Sequence, residues 1–442
     1  EIATMVDGIP KFVGVWTHPL LDSLSVDLAG HVEVHKGPQP VQLGNMSFGT
    51  VNLQPKQRRR PGVSQRVRAG YGSFATGVAR YERGSRSGRM DSYLSASHRR
   101  SDGERENADG DVSALYGRLG YRLGERWQAS VMVDASDGSA SDPGRVDTPQ
   151  PGITPEFEIS DLMTIATLSH DHGRFRGELK AYYDDGDIDW RQWDADTGNA
   201  FLTLTDWENY GLRLRERLSF AGDGQLELGF DHDSYGGLSR EVRDSGTTSL
   251  VDLRFQNTAL IARVSKPLDA EGRLTPSAGV RYNDSRFFGE DWGTHLGLVS
   301  RTSRRTLYGR YASGFNLPGL WAATFGPPGA WRDLEAEEID HVEVGWSHRV
   351  GSRATLDLAL FRSEVANGLR FLPPPPFPPT FDNVGDYTSE GGEIALSASP
   401  RPGLELMISA AYNETDPQTI PFSPEWTFSG GVSARLAERW RL

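Results

Sequence analysis

From Val63 to the end of the chain, the sequence consists of segments in which every second residue is apolar. Within 127–136, one set of alternate positions holds Trp127, Ala129, Val131, Val133 and Ala135. The other set is mostly polar and holds Gln128, Ser130, Met132, Asp134 and Ser136. A period of two places successive side chains on opposite faces of a β-strand. The pattern recurs in 225–231, 341–350 and 404–413 and predicts strands with one apolar and one polar face.

Counting these segments predicts about 18 strands. They are expected at 63–71, 76–83, 88–100, 111–122, 126–136, 157–170, 174–190, 206–220, 224–236, 250–266, 272–286, 293–300, 304–313, 337–349, 352–366, 386–398, 403–414 and 424–436. Every second connection is short, at 84–87, 123–125, 171–173, 222–223, 267–271, 301–303, 351 and 399–402. The connections between them are mostly longer, including 137–156, 191–205, 314–336 and 367–385.

Short turns at one end of a sheet and long loops at the other are typical of outer-membrane barrels. A bilayer has no water to hydrogen-bond a free strand edge, so such a sheet is expected to close. The apolar face would then contact lipid and the polar face would line the lumen. The alternative is a set of soluble β-sandwiches or a propeller, whose strands also alternate but do not separate short from long connections in this way.

Composition agrees with a barrel and excludes several other classes. No run of about 18 apolar residues exists, which excludes a transmembrane helix. The chain has no cysteine, so it has no disulfides, thiolate metal sites or cysteine nucleophiles. A formal net charge of −13 argues against nucleic-acid binding, for which a basic surface is expected.

Residues 1–62 follow different rules from the rest of the chain. They contain two short apolar strands, near 32–34 and 50–53, joined by a connection rich in Gly, Pro and Asn. These apolar pieces are too few to form a core of their own. We therefore expect the segment to fold against the larger β structure.

Three motifs in this segment resemble the plug domain of TonB-dependent outer-membrane receptors: MVDGIP at 5–10, VEVHKGP at 32–38 and GTVNLQPK at 49–56. Three later segments also resemble that family: YASGFNLPGLW at 311–321, EAEEIDHVEVGW at 335–346 and NVGDYTSEGGEIAL at 383–396. The resemblance covers essentially the whole chain. It implies an all-β fold, an antiparallel transmembrane β-barrel in 63–442 with a partial N-terminal plug domain in 1–62.

The chain departs from the family pattern in strand number. Barrels of this family have about 22 strands around a plugged lumen, whereas about 18 are predicted here. The N-terminal box that recruits the energising partner is also not found in the sequence. The resemblance therefore predicts a fragment truncated at both ends, and a complete 18-stranded barrel with a small inserted segment is the alternative.

The function implied by the resemblance is energy-coupled uptake of a scarce nutrient across the Gram-negative outer membrane. The expected ligand is a ferric siderophore or another metal chelate, and the expected partners are a TonB-type inner-membrane complex and outer-membrane lipid. A monomer is expected, with no cofactor. The alternative is a passive porin constricted by its N-terminal segment. An enzyme is disfavoured because no nucleophile and base constellation is readable.

Candidate ligand contacts are the aromatic residues of the apex and of the long loops. They are Trp16 and His18 in the first segment, Trp190 and Trp193 in one loop region, and Phe315, Trp321, Phe325 and Trp331 in another. Aromatic side chains with few charges suit an organic ligand or chelate. The competing interpretation is ordinary packing or an aromatic girdle at the membrane interface.

Candidate contacts between plug and barrel follow from the resemblance, because plug basic residues of the family pair with barrel glutamates. This assigns Lys36 to the plug side and Glu337 to the barrel side. Solvated lumen charges without specific pairing are the alternative. Two close histidine pairs, His31 with His35 and His170 with His172, lack the carboxylates of a usual ligand set, so no metal site is predicted.

Overall fold

The computed structural model describes residues 2–11, 26–44, 49–144, 146, 155–193, 199–324, 329–372, 380–418, 424–437 and 440–441. These residues form a small N-terminal sheet and one large antiparallel sheet of 18 strands. The helical elements are short: α1 (Pro40–Leu43), α2 (Leu320–Thr324) and two 3₁₀ turns, Val26–Leu28 and Ala330–Asp333. Within the described ranges, no helix is long and apolar enough to cross a membrane.

The N-terminal sheet has four strands in the order β2-β1-β4-β3. They are β1 (Ala3–Val6), β2 (Ile9–Pro10), β3 (Ala29–Lys36) and β4 (Gly49–Pro55). Asp7 and Gly8 join β1 to β2 with φ values of 52° and 77°. A two-residue hairpin loop with positive φ at both positions favours Asp-Gly, which explains the sequence of this turn. The Gly8 N–H donates to Asn52 Oδ1 at 3.0 Å and fixes the hairpin on β4.

The strands of the large sheet follow one another in chain order, each antiparallel to the next. They are β5 (Gly62–Tyr71), β6 (Gly77–Ser87), β7 (Met90–Ser101), β8 (Gly110–Arg122), β9 (Trp127–Ser141), β10 (Glu156–Asp171), β11 (Phe175–Trp193), β12 (Ala200–Phe220), β13 (Gly224–Arg243), β14 (Gly246–Ser265), β15 (Leu274–Ser285), β16 (Gly289–Arg301), β17 (Arg305–Asn316), β18 (Glu337–Val350), β19 (Ala354–Ala366), β22 (Tyr387–Arg401), β23 (Leu404–Asp416) and β24 (Trp426–Ala437). Between β19 and β22, the strands β20 (Leu369–Leu372) and β21 (Thr380–Asn383) form a separate hairpin. The short β25 (Trp440–Arg441) pairs with the end of β24.

We call this large sheet the wall. It curls into a barrel, and both β5 and most of β24 are exposed along their length.

The predicted wall strands are confirmed in number and order, and several of their bounds differ, most clearly in two regions. The predicted turn at 84–87 lies inside β6, and the chain turns instead at Gly88, where φ is 55°. The strands β11 to β14 have 19 to 21 residues and extend beyond the segments expected from alternation. In the outer half of β11 the outward positions are acidic, at Asp185, Asp187 and Asp189, and the apolar alternation that marks a strand is lost there.

The two faces of the wall are confirmed by exposure. Val342 and Val344 are each 52% exposed on the outer face, whereas Glu343 between them is 9% exposed and faces the lumen. Most connections at one end are turns of a few residues, and the longest loops, including 317–336 and 367–386, lie at the other end. We call these the short-turn end and the long-loop end.

Candidate functional site

The N-terminal sheet lies in the lumen and packs on part of the wall through an apolar cluster. From the N-terminal segment the cluster takes Val6, Ile9, Leu28 and Leu53. From β8 to β11 it takes Tyr116, Met132, Met163, Ile165 and Tyr182. These apolar side chains interrupt an otherwise polar lumen face at the positions that the N-terminal sheet covers. The segment therefore obtains from the wall the core that it cannot build alone.

A buried ionic cluster follows directly after the hairpin of the DGIP motif. Lys11 Nζ lies 2.5 Å from carboxylate oxygens of both Asp161 on β10 and Asp184 on β11. The three side chains are 5%, 4% and 1% exposed. Asn209 Nδ2 donates to the second oxygen of Asp184 at 3.1 Å. The Lys11 ammonium thus compensates the charge of two buried carboxylates of the wall.

The environment keeps Lys11 charged. Burial lowers the pKa of Lys11, but the negative charges of Asp184 and Asp161 outweigh it, and the net pKa is raised above its ordinary value. The attraction is strong because few solvent molecules screen it. Removing one partner from such a cluster leaves uncompensated buried charge, which is strongly unfavourable.

A second ionic contact joins the N-terminal segment to β6 and β7. Asp27 accepts from Arg80 at 2.7 Å and lies 2.5 Å from Arg99 Nη2, while Lys56 Nζ donates to Glu82 at 2.7 Å. Arg80 also donates to Glu82 at 2.7 Å. Asp27 of the segment thus pairs with a basic residue of the wall, Arg80, and Lys56 of the segment pairs with an acidic one, Glu82. This reciprocal arrangement holds 26–28 and 56 against β6 and β7.

The predicted contact at Lys36 exists, but with a different partner. Lys36 Nζ contacts Glu393 on β22, and Arg310 Nη2 donates to the Lys36 carbonyl oxygen at 2.5 Å. Glu337 instead accepts from Asn316 Nδ2 at 2.7 Å and from the Leu369 N–H at 2.8 Å. Glu337 therefore ties β17 to the β20 hairpin, and its expected pairing with Lys36 is corrected to Glu393. Sequence alone could not distinguish the two because both residues lie in polar stretches of the wall.

The helix α1 touches the wall where the wall has glycines. A Cβ added at Gly293 would lie 2.9 Å from Pro40 Cβ, and one added at Gly279 would lie 3.0 Å from Val41 Cγ1. Glycine is therefore required on β15 and β16 for this close approach. Gly37, with φ of 67°, lies similarly against Arg310 and His341, because a Cβ there would be 2.7 Å from Arg310 Nη2.

A polar cavity of about 500 Å³ separates the N-terminal sheet from β10 to β13. Lys180 crosses it, donating to the Asp7 carbonyl oxygen at 2.7 Å and lying 3.2 Å from the Asp7 carboxylate. Burial raises the pKa of Asp7, and the charge of Lys180 offsets part of that rise. The rest of the lining is largely charged and includes Glu33, Arg176, Arg213, Arg217 and Glu227. The contact on this side is therefore hydrated and polar rather than packed.

An aromatic cluster lies at the long-loop end. Trp331 is 5% exposed and its ring centroid lies 5.6 Å from Phe255, 5.3 Å from Phe287 and 6.1 Å from Phe288. Leu320 of α2, fully buried, belongs to the same cluster. A loop of more than ten residues is thereby anchored on the middle of β14 and on the turn that follows β15.

A family model for the β-barrel of TonB-dependent receptors matches residues 99–442. The chain belongs to this family. Solved structures of similar fold include the copper transporter OprC, with 16% identity and a TM-score of 0.83 over 98% of this chain and 75% of that one. The ferripyoverdine receptor of the Pseudomonas aeruginosa outer membrane has 15% identity and a TM-score of 0.78 over 99% and 68%. The ferric yersiniabactin uptake receptor FyuA of Yersinia pestis has 14% identity and a TM-score of 0.78 over 99% and 75%.

Membership places this receptor among outer-membrane β-barrels that transport ligands with the TonB system, and these matches are transport receptors rather than enzymes. Identities of this size show a shared fold and do not extend to the ligand.

The predicted aromatic ligand contacts of this receptor lie in different places. Phe315 is 3% exposed at the outer end of β17, and Trp331 lies in the aromatic cluster. Trp190 packs beside a buried group formed by Ile159, Ile188 and Trp207. Trp193 ends β11 and Trp321 is in α2, but their side chains lie outside what the structure describes, as do residues Trp16, His18 and Phe325 entirely.

Several residues of the receptor's interior were not expected from the sequence. Lys11, Asp161 and Asp184 are the clearest case, since they lie in separate parts of the chain. The adjacent Phe287 and Phe288 were also missed, although two aromatic residues in a three-residue turn are a visible signal of packing. Within the described ranges, no group of three or more His, Asp or Glu side chains is arranged to hold a metal ion.

Proposed function

We propose that this receptor imports a scarce nutrient by energy-coupled displacement of its N-terminal segment, residues 1–62, which acts as a plug. The observation that carries the proposal is the Lys11 cluster with Asp161 and Asp184. It joins the plug to the wall at the level where a transported molecule must pass. A barrel of this width without a plug would be an aqueous channel.

The chemistry of the contacts suits a part that must move. Charged and polar groups that separate into water regain hydration, whereas separated apolar surfaces do not. Outside the apolar cluster on β8 to β11 and the packing of α1, the plug contacts described above are ion pairs or hydrogen bonds, and one side is a polar cavity. A pull from the periplasmic side can therefore part plug and wall at lower cost than it could unpack a continuous apolar core.

We further propose a ferric siderophore or another metal chelate as the ligand. Supporting observations are the aromatic residues at the long-loop end and the names of structurally similar receptors for ferripyoverdine, ferric yersiniabactin and copper. The proposed contacts are the aromatic residues named from the sequence. Phe315 and Trp331 are buried, so a ligand would reach them only after the loop 317–336 moves.

The test is ligand uptake in cells that express the receptor, with and without their TonB-type energy-coupling complex. We expect growth under iron limitation on a ferric siderophore only when that complex is present. Uptake that persists unchanged without the complex would refute energy coupling.

Conductance measurements distinguish this proposal from the alternative, a passive porin. The proposal expects planar bilayers containing the receptor to show little conductance, because the plug fills the lumen. A large and permanently open conductance would support the porin instead.

A further inference from the structure

An apolar groove with a volume of about 670 Å³ crosses the outer face of the wall between β14 and β18. Its floor consists of small or flat residues, Pro276, Ala278 and Gly309. Its rims consist of larger outward-facing residues, namely Val264, Leu296, Leu298, Val342 and Val344. Nearly the whole lining is apolar, as expected for a surface in the hydrocarbon region.

The strand register explains why the groove exists. Ala278 pairs with Val264 on one side and with Leu296 on the other. Gly309 pairs with Leu298 on one side and with Val344 on the other. In both rows a small residue stands between two large ones, so the outer surface is depressed along β15 and again at β17. A side chain on one face of a sheet cannot fill a depression on the other face.

Aromatic residues on the same strands give the depth of the groove in the membrane. Tyr282 and Trp292 contact each other on the outer face toward the long-loop end, with ring centroids 5.0 Å apart and ring planes tilted by 58°. Trp346 and His348 stack toward the short-turn end, with centroids 5.3 Å apart. Tyr and Trp at the two ends of barrel strands mark the two interfaces of the bilayer. Val342 and Val344 precede Trp346 on β18, so the groove lies in the hydrocarbon region next to the periplasmic girdle.

A cation stands at the periplasmic end of the groove. Lys266 directly follows β14, lines the groove and is exposed. Its Cε lies 3.3 Å from the position of a Cβ on Gly222, so the side chain leans over the turn between β12 and β13. It makes no ion pair with any carboxylate in the described part of the chain. The ammonium is therefore available at headgroup level, where basic side chains attract lipid phosphate.

We propose that the groove binds one phospholipid of the periplasmic leaflet, independently of the import function. One acyl chain lies over Pro276 and Ala278 between the Val264 and Leu296 rims, and the phosphate contacts Lys266. A chain in this depression gains dispersion contacts with its floor and rims that a convex surface does not offer. The position near the short turns assigns the lipid to the periplasmic leaflet, because turns of this kind lie in the periplasm.

The test is native mass spectrometry of the purified receptor in detergent with added phosphatidylglycerol. We expect one retained lipid per receptor, and its loss in Ala278→Phe, whose ring fills the groove. Gly309→Leu fills the second depression from another strand and is expected to weaken retention as well. Lys266→Gln is expected to reduce retention about five-fold, the effect of one cation at headgroup level.

The matched control is Ala129→Phe on β9, where an outward-facing alanine also stands between larger residues, Tyr121 and Leu168. This variant should retain the lipid as the wild type does. Equal retention in wild type and Ala278→Phe, or equal loss in Ala129→Phe, would overturn the site. Retention of diacylglycerol as strong as that of phosphatidylglycerol would overturn the role of Lys266. Heat-modifiability on gels confirms that each variant is folded.

Discussion

Replacing Lys11 by methionine removes the charge of the buried cluster and keeps much of its volume. Asp161 and Asp184 then face each other across the plug interface without a counter-ion, at 4% and 1% side-chain exposure. Breaking a buried ion pair by removing one partner costs about 3–5 kcal/mol. We expect this cost to appear in the docking of the plug rather than in the folding of the wall, because the wall strands keep their own pairing.

The assay is hydrogen exchange of the backbone amides of β1 and β2, which reports opening of the plug. A cost of about 3–5 kcal/mol predicts amide exchange faster by roughly two to four orders of magnitude in Lys11→Met. The amides of β18 serve as internal control and should not change. The triple variant Lys11→Met, Asp161→Asn, Asp184→Asn removes all three charges. It should regain most of the protection from exchange that the single variant loses in β1 and β2.

The pH dependence of the wild type follows from the raised pKa of Lys11. A cation with a raised pKa stabilises the docked state fully below its unfolded pKa of 10.5 and loses that contribution as pH rises through the folded pKa. The contribution of Lys11 to the stability of the docked plug should therefore stay constant between neutral pH and pH 10. Exchange rates in Lys11→Met equal to those of the wild type, or a triple variant as unstable as the single one, would refute the reasoning.

Three further variants test the remaining contacts. Gly293→Ala places a Cβ 2.9 Å from Pro40 Cβ and should weaken docking of α1 by about 1–3 kcal/mol, measured by amide exchange at 41–44. Gly117→Ala, with nothing within 4 Å of the added Cβ, should leave that exchange unchanged. Glu393→Gln should cost at most about 1 kcal/mol because Lys36 is 70% exposed, and a larger loss would contradict the assignment of a weak surface pair. Trp331→Ala should release the loop 317–336, with local destabilisation of about 3–5 kcal/mol, and speed trypsin cleavage at Arg332, while Trp292→Ala on the outer face should leave cleavage unchanged.

The wall could be predicted from the sequence because a lipid outside and a hydrated lumen inside impose alternation residue by residue. The prediction lost accuracy where that alternation is absent, as in the outer half of β11. The stretch 84–87 is rich in Gly and Ser, which predicts a turn, but it is the polar end of β6. Strand pairing continues there as far as Ser87 with Met90.

The interior contacts could not be predicted from the sequence in the same way. Lys11 lies 150 residues from Asp161 and 173 from Asp184, and Lys36 lies 357 residues from Glu393. From the sequence alone, many carboxylates on the lumen face are equally good candidates for an ion pair with a given plug cation. The resemblance to receptors indicated the kind of pair at Lys36, and only the three-dimensional register selected Glu393 over Glu337.

The central claim, that the plug must leave the wall for transport, is tested most directly by a reversible tether. The chain has no cysteine, so Val41→Cys with Gly279→Cys introduces a single thiol pair. Val41 Cγ1 lies 3.0 Å from the Cβ position of residue 279, which is about the separation of Sγ and the opposite Cβ in a disulfide. The control pair Ser85→Cys with Ser92→Cys links two opposed wall residues and leaves the plug free.

Uptake of a ferric siderophore in cells carrying each oxidised pair, before and after adding reductant, is the measurement. The plug tether should abolish uptake, preserve binding at the cell surface and release uptake on reduction, whereas the wall pair should transport throughout. Normal uptake by fully cross-linked Val41→Cys, Gly279→Cys receptor would contradict the account.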